Sequence, residues 1–310
     1  MLCLSSMPSI GKIVDAHHHF FDPPANAFNT FLGSLGAPTY LPEQYTTDAA
    51  GLPITKTVHV EAMCDNAIGE AKWVESMANA GRCTVAAIVA GPNLAAPDIA
   101  AQLDALQAEC PRLRGIRCDG PSTEPCHKRP RHNASFPCPR PLSPTGFETV
   151  LVSLVVRSDI IDYDGPFDGT TNATHPNMKR HGGGIDYLRD PTHLAAFEQG
   201  FAMLATRGLS FDLQCAPGQL PAAAELCARH PGVRVVIDHL GKPRHLDGSA
   251  EDAPKLAEWR AGMAKMAALP QVCAFTGQGW RRVANTLAAR FARYATDVHT
   301  TVGVPLCCAC

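Results

Sequence analysis

His17 and His19 stand two residues apart in the run Ile13-Val14-Asp15-Ala16-His17-His18-His19-Phe20-Phe21-Asp22-Pro23. On an extended strand that spacing puts both rings on one face and His18 on the other. Two imidazoles so placed can grip one divalent metal or one polar substrate. The same three histidines are equally open to reading as a chance cluster or a polar network. A second polar pair, Asp238-His239, ends the apolar part of V-R-V-V-I-D-H-L-G-K-P, Val233 to Pro243. Its continuous β-branched character suits a strand buried on both faces. The run Gly208 to Gln214 (G-L-S-F-D-L-Q) has the same character.

The segments that must carry these residues alternate between two patterns. Strands are expected at 12–17, 57–62, 84–90, 114–117, 210–214, 233–239 and 271–275. Helical patterns rich in Ala, Leu, Glu and Lys fall between them, at 70–80, 95–107, 193–205, 220–230 and 253–268. Repeated β then α with short buried strands argues for an α/β fold built on a parallel sheet with right-handed crossovers.

Composition narrows the class without naming a reaction. The 310 residues are 45% hydrophobic and 18% charged, with a formal net charge of −2. Such a chain is expected to be globular, with a large core and no case for nucleic acid or an anionic membrane surface. An aromatic content of 6% also argues against a stacking platform for single strands. Thirteen cysteines are irregularly spaced, and Cys64, Cys83, Cys215 and Cys227 fall in or beside expected elements, where thiols act as small apolar groups. Cys307-Cys308-Ala309-Cys310 is open to metal or palmitate binding but reads first as an arbitrary tail. No basic leader precedes the short apolar start and no apolar run reaches membrane length, so a cytoplasmic location is expected. Sequons at Asn133 and Asn172 then read as accidental.

The pairing of D-A-H-H-H near the start with D-H-L-G-K-P late resembles the amidohydrolase superfamily, and more narrowly its amidohydrolase-related branch of lactonase-like hydrolases and some decarboxylases. Val58-His-Val-Glu-Ala62, Glu70-Ala-Lys-Trp73 and Arg114-Gly-Ile-Arg117 add to the likeness, which covers roughly residues 12–118 and 164–272. The resemblance implies a (β/α)₈ TIM-type barrel, with the active site at the C-terminal ends of its strands. His17, His19, Arg117, Gln214 and His239 all fall at such ends. Burying five polar side chains at unrelated positions would be costly, so one shared pocket is expected. The implied reaction is hydrolysis of a small acidic lactone by water activated on a metal or by His and Asp. A decarboxylase on the same scaffold is the alternative.

On that reading His17, His19 and His239 are the catalytic candidates. His17 and His19 are also the metal candidates, for a divalent ion with zinc first, although some relatives dispense with metal. Arg117 is placed to fork onto a substrate carboxylate or, equally, to form an internal ion pair. Gln214 lies where many metal-binding barrels carry a histidine, which argues against a dinuclear site. Glu61 at the end of the second strand is a candidate substrate contact. Asp15 either buttresses the histidine pair or caps the following turn. Lys242 reads as solvated and His181, beside three glycines, as loop.

Two regions depart from the family pattern. Residues 119–163 interrupt the chain after the fourth strand, with seven prolines between Asp119 and Gly146 and the tripeptide Asp-Gly-Pro at 119–121 and again at 164–166. A translated intron or a recent insertion is expected there, with a substrate lid as the alternative. Residues 275–310 lack the Gly-Ser-Asp-Trp-Pro-like eighth strand whose Asp is the family's general base, and Asp297 is a weak stand-in. The expected organisation is therefore a 1–11 extension, a barrel domain over 12–274 that is incomplete at its C-terminus, and an atypical tail. A catalytically inactive truncated barrel is the competing reading. An unclosed barrel leaves its outer strand edges unpaired unless a partner, such as a second copy in a homo-oligomer, covers them. A small-molecule substrate is the expected ligand.

Overall fold

A computed structural model describes residues 12–34, 36–117, 187–215, 217–241 and 253–274. The expectations for 1–11, 119–163 and 275–310, and for Asn172, His181, Lys242 and Asp297, lie outside these residues. Seven strands are present among them: β1 (Ile13–His18), β2 (Ile54–Val60), β3 (Val85–Ala90), β4 (Leu113–Ile116), β5 (Ser210–Leu213), β6 (Val235–Ile237) and β7 (Val272–Ala274). All pair in parallel in the order β1 to β7, forming one curled sheet that is, among the described residues, an incomplete TIM barrel. The seven expected strands all appear, with β1, β2 and β4 displaced by one to three residues and the other four shortened at their ends.

The helices follow from local signals. They are α1 (Thr30–Ser34), α2 (Pro42–Asp48), α3 (Ala67–Asn79), α4 (Ile99–Glu109), α5 (Pro191–Arg207), α6 (Leu220–Arg229) and α7 (Ala253–Ala267). Asn66 caps α3 by accepting from the Gly69 N–H at 2.9 Å. Asp190 caps α5 with Pro191 in its first turn, and Gly208 ends that helix at φ 67°. Short α1 and α2 were not expected from the sequence. They fold back after β1, where Phe21 and Tyr40 form an antiparallel bridge. Gly200 lets α5 lie against the chain after β3, because a Cβ there would stand 2.1 Å from the Leu94 carbonyl oxygen.

The core lies between sheet and helices, with Ile88, Ile116, Leu103, Leu204, Phe201 and Trp259 fully buried. Cys64 and Cys227 are buried thiols within it, as expected, while Cys83 is half-buried. Among the described residues no helix is long and apolar enough to cross a membrane.

One surface contact joining α5 to the end of α6 carries a pH dependence. Glu198 accepts from Arg229 Nε and Nη2, each at 2.8 Å, and lies 2.7 Å from His230 Nε2. The Arg229 hydrogen bonds lead in holding its carboxyl down at about 2, against an ordinary 4.5. A depressed carboxyl contributes stability above its unfolded pKa and loses it as pH falls through the folded one. Glu198→Gln is therefore expected to lower stability at pH 7 by about 1 kcal/mol, discounted for the exposure of Arg229. The difference from wild type should vanish near pH 2, as checked by urea denaturation at both pH values.

Candidate active site

β1 delivers its histidines through a break in its ladder. Asp15 pairs with Thr57 and His18 with His59, so three steps on β1 oppose two on β2, which is a bulge. The bulge puts Asp15 and His18 on the same side and turns His17 to the other. His18 Nε2 lies 2.9 Å from Thr57 Oγ1, and its ring packs on Phe20, Tyr45 and His59. Burial first, then His19, pushes the His18 pKa down to about 3, so it is a neutral core residue.

Asp15 accepts from Tyr45 Oη at 2.7 Å and from the His17 backbone N–H at 3.1 Å. It therefore caps the bulge within β1. Burial raises its pKa to about 6 against the pull of those two donors.

On the other side the expected histidines meet. The His17 and His19 rings are 4.9 Å apart between centroids, and His17 and His239 are 5.1 Å apart. His19 Nδ1 lies 2.8 Å from the Val60 carbonyl oxygen. A carbonyl can only accept, so Nδ1 carries the hydrogen and Nε2 presents a lone pair. Burial, reinforced by His19 and His239, holds the His17 pKa well below 6.5, keeping its imidazole neutral.

His239 arrives from the turn Asp238–Gly241 after β6. Asp238 is fully buried, with Oδ1 3.7 Å from His17 Nδ1 and Oδ2 3.6 Å from Arg117 Nη1. Sequence reasoning did not place Asp238 among the site residues, because the acid was sought on an eighth strand. Its position beside His239 at the end of a buried strand was the available signal.

Arg117, Glu61 and Gln214 also converge here. Arg117 Nε donates to Glu61 Oε1 at 2.8 Å, Nη2 to the Glu61 carbonyl oxygen at 2.6 Å, and Nη1 to Gln214 Oε1 at 3.2 Å. Both members of the pair are 2% exposed. This is the internal ion pair, the other of the two readings for Arg117, and it holds Glu61 inward. Asp212, two residues before Gln214, is a further buried acid that the sequence reading passed over. Burial, then the neighbouring charge of Asp238, raises its pKa well above the ordinary range.

Residues 177–299 match the family described as "Amidohydrolase". That match covers 123 of the 310 residues. Among curated proteins it is 38% identical over 93 residues to an L-fucono-1,5-lactonase of Burkholderia multivorans, covering 28% of this chain and 31% of the relative. It is 32% identical over 146 residues to an L-fucono-1,5-lactonase of Burkholderia ambifaria, covering 44% of each. The chain thus spans less than half the length of either lactonase. In fold it is similar to a solved Burkholderia multivorans amidohydrolase, at 21% identity and a TM-score of 0.60, over 94% of this chain and 81% of that one. A second crystal form of that protein, with bound zinc, gives a TM-score of 0.57 at 22% identity over the same shares.

The site holds donors of the right type for a divalent ion. One atom each from His17, Asp238 and His239 lies within 4.8 Å of the others, all three residues being buried. Ring packing places the Nε2-presenting His19 beside them. Neutral imidazoles and a carboxylate are what such an ion requires. The site thus contains an acid that the metal reading had lacked.

Proposed function

We propose that this protein is an amidohydrolase that opens a small lactone ring, with His17, His19, His239 and Asp238 as the reacting centre. The observation that carries the reading is the meeting of the first-strand histidines with the Asp238-His239 pair from β6. The lactonase-named relatives favour a sugar-acid lactone, and the zinc in the fold relative favours a divalent ion, zinc first. When bound, such an ion supplies Lewis acidity at neutral pH.

Opening adds a water oxygen to the carbonyl carbon and breaks the ring C–O bond, with a water proton passing to the ring oxygen. The residues divide this work by their protonation. The His19 Nε2 lone pair suits it to hold a cation or take a proton, and excludes it, while neutral, as a donor to the carbonyl oxygen. Asp238 sets its carboxyl group between His17 and Arg117, 3.7 and 3.6 Å from them. Because Arg117 is engaged by Glu61 and Gln214, the substrate need not carry a free carboxylate, and a neutral sugar lactone is the preferred class.

The test is acid release from L-fucono-1,5-lactone by the purified full chain, followed at constant pH. Turnover should exceed spontaneous opening, fall to background after chelation, and return with zinc. Background rates for this and other sugar lactones with zinc present would overturn the reading.

A further inference from the structure

We propose that Trp259, on α7 and twenty residues beyond the site, is the positioning residue that holds His239 against His17. The inference rests on His239 belonging to the proposed centre, and it starts from the backbone there. His239 (φ 52°, ψ 34°), Leu240 (φ 54°, ψ 31°) and Gly241 (φ 68°) are three successive residues in the left-handed region. Gly tolerates that conformation, but leucine is strained in it by about 1–2 kcal/mol. Such a turn persists only where its surroundings fix it.

Trp259 does so. Its wholly buried indole Nε1–H donates to the Leu240 carbonyl oxygen at 2.8 Å. The Leu240 side chain is fully buried, and a Cβ built on Gly241 would already meet Leu220 at 3.3 Å and Met263 at 3.5 Å. α7 can come this close because Gly262 faces Leu220, where a Cβ would lie 2.6 Å from the leucine Cβ. The turn is therefore pinned at its carbonyl by α7 and covered by Leu220 and Met263. A pinned turn fixes the direction in which His239 leaves the backbone, and so its 5.1 Å approach to His17.

Trp259→Phe in the full chain keeps the bulk and removes the donor. Two readouts apply: the imidazole ¹⁵N signals of His239 with amide exchange at 239–241 in metal-free protein, and zinc affinity by titration. The variant should shift the His239 signals, speed exchange at Leu240 and Gly241 at least tenfold, and weaken zinc binding about 10- to 100-fold. Gly262→Ala, which displaces α7 without touching the indole, should move the same signals. Leu103→Ala on α4 is the control. It should lose stability while leaving His239 and zinc affinity as in wild type. Unmoved His239 signals and exchange in both Trp259→Phe and Gly262→Ala would overturn the proposal, as would equal movement in Leu103→Ala. If wild type binds no zinc, the proposed centre falls, while the His239 signals still decide the role of Trp259.

Discussion

His17→Ala is expected to lower kcat/KM for lactone opening by roughly 10³-fold or more, with the fold retained. His17 has the His19 ring at 4.9 Å, the His239 ring at 5.1 Å and Asp238 Oδ1 at 3.7 Å. Removing it separates β1 from the β6 turn as a donor set. His239→Ala should act in the same way. The informative contrast is His18→Asn. His18 is next in sequence but lies across the bulge, bonded to Thr57 and packed on Phe20 and Tyr45. That substitution should reduce thermal stability and leave the remaining folded protein turning over within a few-fold of wild type. Steady-state kinetics with melting curves on the three variants separates the two sides of the strand. Near-normal activity in His17→Ala would remove the assigned centre.

The second large effect concerns stability. Arg117→Met should destabilise the fold by about 3–5 kcal/mol, because it leaves Glu61 and Asp238 buried without their cation. The two carboxylates belong to residues far apart in the chain, joined by one guanidinium that is itself 2% exposed. Burial of this kind contributes little net stability as a pair, but breaking it exposes the full desolvation cost of what remains. Glu61→Gln combined with Arg117→Met should therefore be less destabilised than the sum of the two single changes. Urea midpoints for the four proteins provide the cycle. Additive losses would mean that the ion pair is not coupled as its geometry indicates.

These effects also mark what the amino-acid order reveals and what it hides. The strands were legible because short β-branched runs end in polar residues, as at Val236-Ile237-Asp238, and helical Ala/Leu/Glu patterns separate them. The meeting of His17, His19 and His239 followed from strand-end placement in a barrel. The bulge at Ala16–His17 was not legible, since it depends on the register that β2 imposes. That is why Asp15 points to Tyr45, on a short helix whose docking is set by tertiary packing. The Arg117–Glu61 pair was one of two readings, and only the 56-residue closure between them decides it. Asp238 was visible beside His239 and was overlooked because the acid was expected on a later strand. The left-handed turn that carries His239 has glycine at one of its three positions only, so its shape had little signature in residue type.

The coordination of zinc added to the full chain tests the central claim most directly. X-ray absorption at the zinc edge distinguishes nitrogen and oxygen neighbours near 2.0–2.1 Å from sulfur near 2.3 Å. The expected result is a shell of nitrogen and oxygen with imidazole scattering from at least two histidines, reduced by one in His17→Ala. A sulfur shell, drawn from the thirteen cysteines of the chain, or a spectrum unchanged in His17→Ala, would contradict it.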